Sequence, residues 1–277
     1  MSSTTVSRQS LLQAVKTMSS APQILARVGE ELDKMDSSLE DIAGIIRLDA
    51  AITTRIIRVA NSAAYNTSRQ PFASVEEALA RLGLLQTYRI VGIAAVQQFS
   101  DQHLPTYGIT GGRLRENSLL TALFMEAMAT HTDFCNNAAY TAALLRSTGK
   151  IAIDRLNREK ATDASWINAP LADAENSFAG INNCEATSVI LTEWRFPKKT
   201  IGAIRAHYTP DQNDPLAILL NLACGAAERE GYGIPGESTY WEISPEKLEA
   251  VQIDATDIDS AIGAGLKRFA ILRDLVA

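Results

Sequence analysis

Cysteine is scarce in this chain. The 277 residues include three, Cys135, Cys184 and Cys224, an odd number, far apart and without a CxxC pair. That argues against a disulfide framework, gives little support to a structural zinc site and leaves buried free thiols as the expectation. Histidine is equally rare: His103, His131 and His207 form no HExxH and no other close pair that would build a metal-binding face on a helix. There is no GxSxG, so an α/β-hydrolase nucleophile elbow is excluded. Aromatic residues make up 6% and the apolar set is mostly Ala, Leu and Ile, side chains that lose little rotamer freedom in a helix; an all-α fold is expected. No segment is apolar for long enough to span a bilayer, and "MSSTTVSRQSLLQAVKTMSS" lacks the apolar core of a signal peptide. A cytoplasmic protein without a membrane partner is expected. The net charge of -6 and the absence of a dense basic patch argue against nucleic acid as a partner, since counterion displacement needs clustered Lys and Arg.

What is present is a succession of amphipathic helices, in a chain whose 46% hydrophobic content is enough for a sizeable core. "PQILARVGEELDKM" puts Leu25, Val28, Leu32 and Met35 on one face, with Pro22 suited to a first turn. Ser37-x-x-Glu40 and Ser74-x-x-Glu77 have capping-box spacing, and Asp49 is placed to cap a helix carrying Ile52, Ile56 and Val59. Helical periodicity breaks at "SDQHLPTYGITGGRLRE", the best candidate for a subdomain boundary. It resumes with Leu120, Leu123, Phe124, Ala127 and Met128 on one face. Further helices are expected near 184–194, 198–207 and 215–229, and Ser244-Pro245 reads as an N-cap and first turn. No constant period recurs, so a solenoid is not expected.

The stretch "LLRSTGK", residues 144 to 150, invites a chemical reading. A phosphate loop needs Gly at 144 and Ser or Thr at 151; the chain has Leu144 and Ile151, preceded by helix instead of strand. The local pattern makes Gly149 a helix terminator and Lys150 a cation placed at a helix C-terminus.

Taken in order, "APQILARVGEEL", "SLEDIAGIIRLDAAITTRIIRVANSAAYN", "SVEEALARLGL", "AALLRSTGKIAI" and "ILTEWRFPKKTIGAIRAHYTP" resemble the HD-related output domain (HDOD) family of bacterial signalling proteins. The resemblance covers roughly residues 20 to 230, and the tail looks like a helical extension. It implies an all-α, multi-helical fold, with an amino-terminal bundle over about 1–110 packed on a degenerate HD-like core over about 111–277. The HD superfamily comprises metal-dependent phosphohydrolases whose ligands are a His, a His-Asp pair and a later Asp. In that frame "LLRSTGK" is similar to "LLHDIGK", so Arg146 and Ser147 replace the His-Asp pair, Asn117 stands at the first His and Cys224 near the later Asp. "HYTP" resembles a His-His-x-Pro motif of which His207 remains, and Cys184 falls where a family His is frequent. Asn61 and Ser62 lie on the family's "ANSA" motif, read first as a helix-end turn and second as part of a recognition surface.

Arg146 decides the functional expectation. A guanidinium has donors only and stays protonated, so it cannot ligate a cation. Its charge also repels a divalent ion by several kcal/mol at about 4 Å, even at an effective dielectric of about 20. The resemblance therefore implies a non-catalytic signalling or scaffold module that needs no cofactor and meets a signalling protein in trans. Asn117, Arg146, Ser147, His207 and Cys224 form a candidate relict pocket for an anion or nucleotide. Two other readings remain open. One is a phosphohydrolase or cyclic-nucleotide phosphodiesterase with a rearranged site that uses His207, Cys224 and a carboxylate; the other is a cyclic-dinucleotide effector in which Arg146 pairs a phosphate.

Overall fold

The computed structural model describes residues 6–16, 21–66, 70–100, 103–132, 136–161 and 163–276. Among them the structure is helical throughout, with no strand and one isolated bridge between Leu104 and Ile109. No single described helix is long and apolar enough to cross a membrane.

Contacts divide the chain into two compact units, residues 1–18 with 99–270 and residues 19–98 with 271–277. The first begins with α1 (Arg8–Lys16); the second is built from α2 (Ala21–Leu32), α3 (Leu39–Ile46), α4 (Ala50–Ala60), α5 (Val75–Leu82) and most of α6 (Leu84–Ser100). Within this second unit the helix starts follow local chemistry. Asp49 accepts from the backbone N–H groups of Ala51 and Ile52, and Ser74 exchanges hydrogen bonds with Glu77 in a complete capping box. The box ahead of α3 sits one residue later than its expected place at Ser37 and Glu40: Ser38 and Asp41 form it. Leu25 and Val28 are buried, whereas Met35 lies beyond the end of α2 and is fully exposed, so the inward stripe stops before it. Gly83, at φ 76°, ends α5, and the chain bends by 115° into α6. Asn61 follows α4 and clamps the returning loop, donating to the Phe72 carbonyl at 2.8 Å and accepting from the Phe72 N–H at 2.7 Å. The Ser62 hydroxyl donates back to the Val59 carbonyl at 2.7 Å.

The first unit continues through a 3-10 turn (Pro105–Tyr107), α7 (Gly111–Ala129), α8 (Asn136–Leu145), α9 (Thr148–Asn157), α10 (Leu171–Ala179), α11 (Asn183–Glu193), α12 (Lys198–Ala206), α13 (Pro215–Arg229), a second 3-10 turn (Ser238–Tyr240), α14 (Pro245–Val251) and α15 (Ala255–Val276) up to residue 270. Residues 99–110 group with this mass, which differs from a division at 110. Side-chain bonds give the reason. The Thr106 N–H donates to Asp154 at 3.1 Å, Trp166 Nε1 donates to the Thr106 carbonyl at 2.7 Å, and Tyr107 reaches Glu175. Both α7 and α13 are buried nearly all round, the signature of helices at the centre of a core. Cys184 and Cys224 are buried free thiols; Cys135 lies outside the described residues.

Candidate functional site

The junction between α8 and α9 is the site's framework. A helix end inside a core leaves carbonyl and N–H groups that water cannot reach, and two side chains of α11 satisfy them here. Asn183 donates to the Arg146 carbonyl at 3.0 Å and accepts from the Lys150 N–H at 3.1 Å. Thr187 accepts from the Gly149 N–H at 2.8 Å and donates to the Arg146 carbonyl at 3.2 Å. The junction is held by another helix as well as by its own bonds, the Thr148 hydroxyl donating to the Leu145 carbonyl at 2.7 Å and the Lys150 N–H to the Ser147 carbonyl at 3.1 Å.

Gly149 is therefore not a helix terminator. It lies in the first turn of α9 with no positive φ, and it is glycine because α11 presses on it. A Cβ at this position would stand 2.5 Å from the Asn183 carbonyl oxygen and 2.8 Å from both the N and Oγ1 of Thr187. Gly149→Ala is expected to lower stability by about 1–3 kcal/mol, the usual cost of overpacking. Chemical unfolding measures this, and an unchanged midpoint would show that α9 and α11 are not held at this spacing.

Lys150 is also not a solvated cation at a helix end. Its ammonium is fully buried and donates to Tyr208 Oη at 2.9 Å, with Glu237 Oε1 at 2.9 Å and Glu175 Oε1 at 3.6 Å. Arg146 Nη1 donates to Glu237 at 3.0 Å and Nη2 donates to Asn117 Oδ1 at 2.7 Å, while Asn117 Nδ2 donates to the Tyr232 carbonyl at 2.7 Å. Tyr208 donates to Glu237 at 2.9 Å and Tyr107 to Glu175 at 2.8 Å; the Asn183 N–H closes the array on Glu175 at 2.6 Å. Trp241 lies under the Arg146 guanidinium, 5.6 Å from carbon to ring centre, and Lys150 is equally far from the rings of Tyr107 and Tyr208.

Two cations and two carboxylates thus cancel inside the unit. Burial works against the charge of Glu237, but Arg146 and Lys150 more than reverse it and hold the carboxyl far below the usual carboxylate range. Burial also works against Lys150, and Glu237 with Glu175 returns it above its ordinary value. Glu175 goes the other way: burial raises it, and Lys150 with the bonds from Asn183 and Tyr107 only moderates the rise.

His207 caps α12. Its Nδ1 donates to the Ile204 carbonyl at 2.6 Å, which leaves Nε2 as a buried acceptor without a hydrogen-bond partner. Burial and the Arg146 charge push its pKa down to about 3, so the ring is neutral. Cys184 Sγ lies 3.6 Å from Nδ1. Burial pushes the Cys224 thiol up to about 12, and Cys184 also rises; neither is a thiolate at neutral pH.

These contacts settle how the expected pocket residues are used. Asn117, Arg146 and His207 come together around Glu237 and Trp241, and Ser147 is buried with an unpartnered hydroxyl. Arg146, however, does not present an open fork to an outside anion. Glu237 and Asn117 take both of its Nη groups, because a strap of chain after α13 brings an internal carboxylate to it, and only its Nε is left buried without a partner. Asn61 and Ser62 belong to the other unit. The residues of the HD ligand positions do not fit a metal: one is a guanidinium, one an amide already bonded twice, one a hydroxyl and one a protonated thiol. Among the described residues no group of three or more His, Cys, Asp or Glu side chains is arranged to hold an ion. Sequence reasoning missed Glu175, Glu237 and the role of Lys150. A lysine inside an apolar run was the one local signal; the two glutamates carried none.

Comparison with known proteins agrees with this fold. The chain is 22% identical over 265 residues to an uncharacterized protein of Treponema pallidum (strain Nichols), covering 91% of this chain and 49% of that protein. It thus spans about half the length of the curated relative it matches. A solved structure named as a candidate signal transduction protein, from Marinobacter aquaeolei VT8, matches at TM-score 0.69 and 16% identity, over 97% of this chain and 64% of that one. Another, named as a candidate phosphohydrolase from Shewanella amazonensis SB2B, matches at TM-score 0.63 and 20% identity, over 96% and 95%. At such identities the likeness carries the fold alone. Residues 18–210, more than half of the chain, match the HDOD domain, and the protein belongs to that family.

Proposed function

We propose that this protein is a non-catalytic signal-transduction module that acts in the cytoplasm by binding, to a signalling protein in trans or to a small ligand. One observation carries the reading: at the position of the metal-binding His of the HD frame stands Arg146, 1% exposed and hydrogen-bonded to Asn117 and Glu237. A metal-activated water needs an ion with an open coordination position, and the guanidinium fills that place with a charge of the same sign as the ion. Glu237 and Glu175 balance the charges of Arg146 and Lys150, so the core does not depend on an ion for its charge balance.

The test is direct. The full chain is incubated with Mn, Fe, Zn and Mg in turn, desalted, and measured for bound metal and for turnover of bis(p-nitrophenyl) phosphate. The expected result is no stoichiometric metal and no metal-dependent hydrolysis. One tightly held ion per chain together with turnover would overturn the reading and point to His207 and Cys224 as ligands of a rearranged site.

A further inference from the structure

The buried network is balanced in charge but mismatched in hydrogen bonds. Three donors converge on one oxygen: Arg146 Nη1 at 3.0 Å, Lys150 Nζ at 2.9 Å and the Tyr208 hydroxyl at 2.9 Å all reach Glu237 Oε1. Oε2 lies 3.0 Å from Arg146 Nη1 yet is buried without a hydrogen-bond partner, and the Arg146 Nε–H is buried without one too. A flat carboxylate offers this donor set two oxygens. A tetrahedral oxyanion offers three or four, so the donors are shared out instead of crowded onto one.

The carboxylate also arrives on a different kind of segment from its partners. Arg146 and Lys150 flank the junction of α8 and α9, which α11 braces, whereas Glu237 sits on the strap, residues 230–244, whose one regular element is the 3-10 turn Ser238–Tyr240. Gly231 and Gly236 hold φ at 80° and 82°, a region that glycine enters and leaves at no steric cost, and Gly236 directly precedes Glu237. Ile234 and Trp241 are buried and anchor the strap, but Pro235, Ser238 and Thr239 between them are exposed. A groove of about 530 Å³ runs alongside, with Gly233, Pro235, Gly236 and Ser238 on its wall. The peptide that carries Glu237 thus has room to turn outward while both anchors stay seated. Once it does, Arg146 and Lys150 face Glu175 alone, and one positive charge is left without its counter-ion.

We propose that Glu237 is an internal competitor for an oxyanion site: when the strap lifts, Arg146, Lys150 and Tyr208 take a phosphate group, free or carried as a monoester. The strap is then an autoinhibitory plug. Its carboxylate stands in for the ligand in the closed protein, and the fraction of molecules with the strap lifted scales the apparent affinity. This inference deepens the small-ligand side of the binding reading above and rests on it for treating capture, not turnover, as the role.

The sign of one substitution is the test. Loss of a purely structural carboxylate loosens the core and creates no affinity; loss of a competitor raises affinity for what it excludes. Inorganic phosphate is titrated calorimetrically into the full chain at ionic strength held constant with chloride. The expected result is saturable binding of one phosphate per chain, tighter by at least about tenfold in Glu237→Gln than in the wild type. Adding Lys150→Met to Glu237→Gln restores the charge balance and should abolish that gain; circular dichroism confirms that the variants are folded. Adenosine monophosphate, titrated alongside, supports the proposal equally and shows whether the group is taken free or as a monoester. Should Glu237→Gln not fold, the wild type still decides: amide hydrogen exchange over residues 231–240 should be faster in phosphate than in chloride. Unchanged exchange there, a folded Glu237→Gln that binds phosphate no more tightly than the wild type, or a gain that survives Lys150→Met would each overturn the proposal. Metal-dependent turnover would overturn the non-catalytic reading without touching the phosphate result, so the two failures are distinguishable.

Discussion

Glu237→Gln is expected to destabilise the protein by about 3–5 kcal/mol, the cost of leaving buried charges without their partner. The carboxylate is fully buried and is shared by Arg146 and Lys150 at 3.0 and 2.9 Å. The neutral amide keeps the volume and some hydrogen bonding but removes the charge, so two cations then face Glu175 alone. The magnitude follows from the asymmetry of such networks: making the pair from hydrophobic residues gains or loses little, whereas removing one partner leaves the other uncompensated in a medium that cannot solvate it. Urea unfolding of the wild type and the variant at neutral pH reads the difference. A second substitution separates charge from packing. Lys150→Met in the Glu237→Gln background removes the unpaired cation and should return part of the loss, a coupling visible as non-additivity in the double-mutant cycle. A loss below about 1 kcal/mol in the single variant, or strict additivity in the cycle, would show that the network is not the closed unit described.

How much of this was legible beforehand depended on whether the cause was local. Asp49 as an N-cap, the Ser74 and Glu77 box and the start at Ser244-Pro245 all appear where the sequence places them, because each rests on partners within four residues. The box at Ser38 was displaced by one position since Ser37 and Ser38 stand side by side and Asp41 competes with Glu40 for the return bond. Periodicity turns Met35 inward because it does not say where a helix ends. Gly149-Lys150 departs from its local pattern for a different reason. As a dipeptide it resembles a helix stop and its capping cation, but its glycine answers to Asn183 and Thr187, and its lysine to Glu175, Glu237 and Tyr208. Those partners come from α10, α11, the end of α12 and the strap after α13. Glu237 follows Gly-Ile-Pro-Gly and Glu175 follows Ala-Asp-Ala, contexts that look like solvent-facing chain. Nothing short of the tertiary arrangement marks them as the counter-ions of Arg146 and Lys150. Arg146 itself was found through family resemblance, which located the position but left the question of what faces it.

The second large effect is on the acid side of the stability curve and belongs to His207. Its folded pKa is pushed down to about 3 from 6.5, by burial first, then by Arg146 and Lys150, against the opposing pull of the Ile204 carbonyl and Glu237. The ring is fully buried, so solvent does little to screen these effects. Between the two values the unfolded chain binds a proton that the native protein does not. Stability therefore falls as pH is lowered through this window, by up to about 1.4 kcal/mol per unit and on the order of 3–5 kcal/mol across it. The neighbouring carboxyls modify the curve in known directions. Glu175, raised, takes up its proton first in the native state and so offsets part of the loss just above the ordinary glutamate range; Glu237, lowered, adds to the loss below that range. From pH 7 down to about 5.5, His207 should accordingly dominate. His207→Gln keeps a side-chain amide able to donate to Ile204 and has no proton to refuse. Its stability at pH 7 should lie below that of the wild type, through lost ring packing on Tyr208 and Trp241, but its decline towards pH 5.5 should be flatter by roughly the single-group slope. Urea midpoints collected at half-unit intervals for both proteins decide the matter. If the two curves run parallel, the ring accepts its proton in the native core as readily as in the unfolded chain, and the positive face that Arg146 and Lys150 present to it is absent.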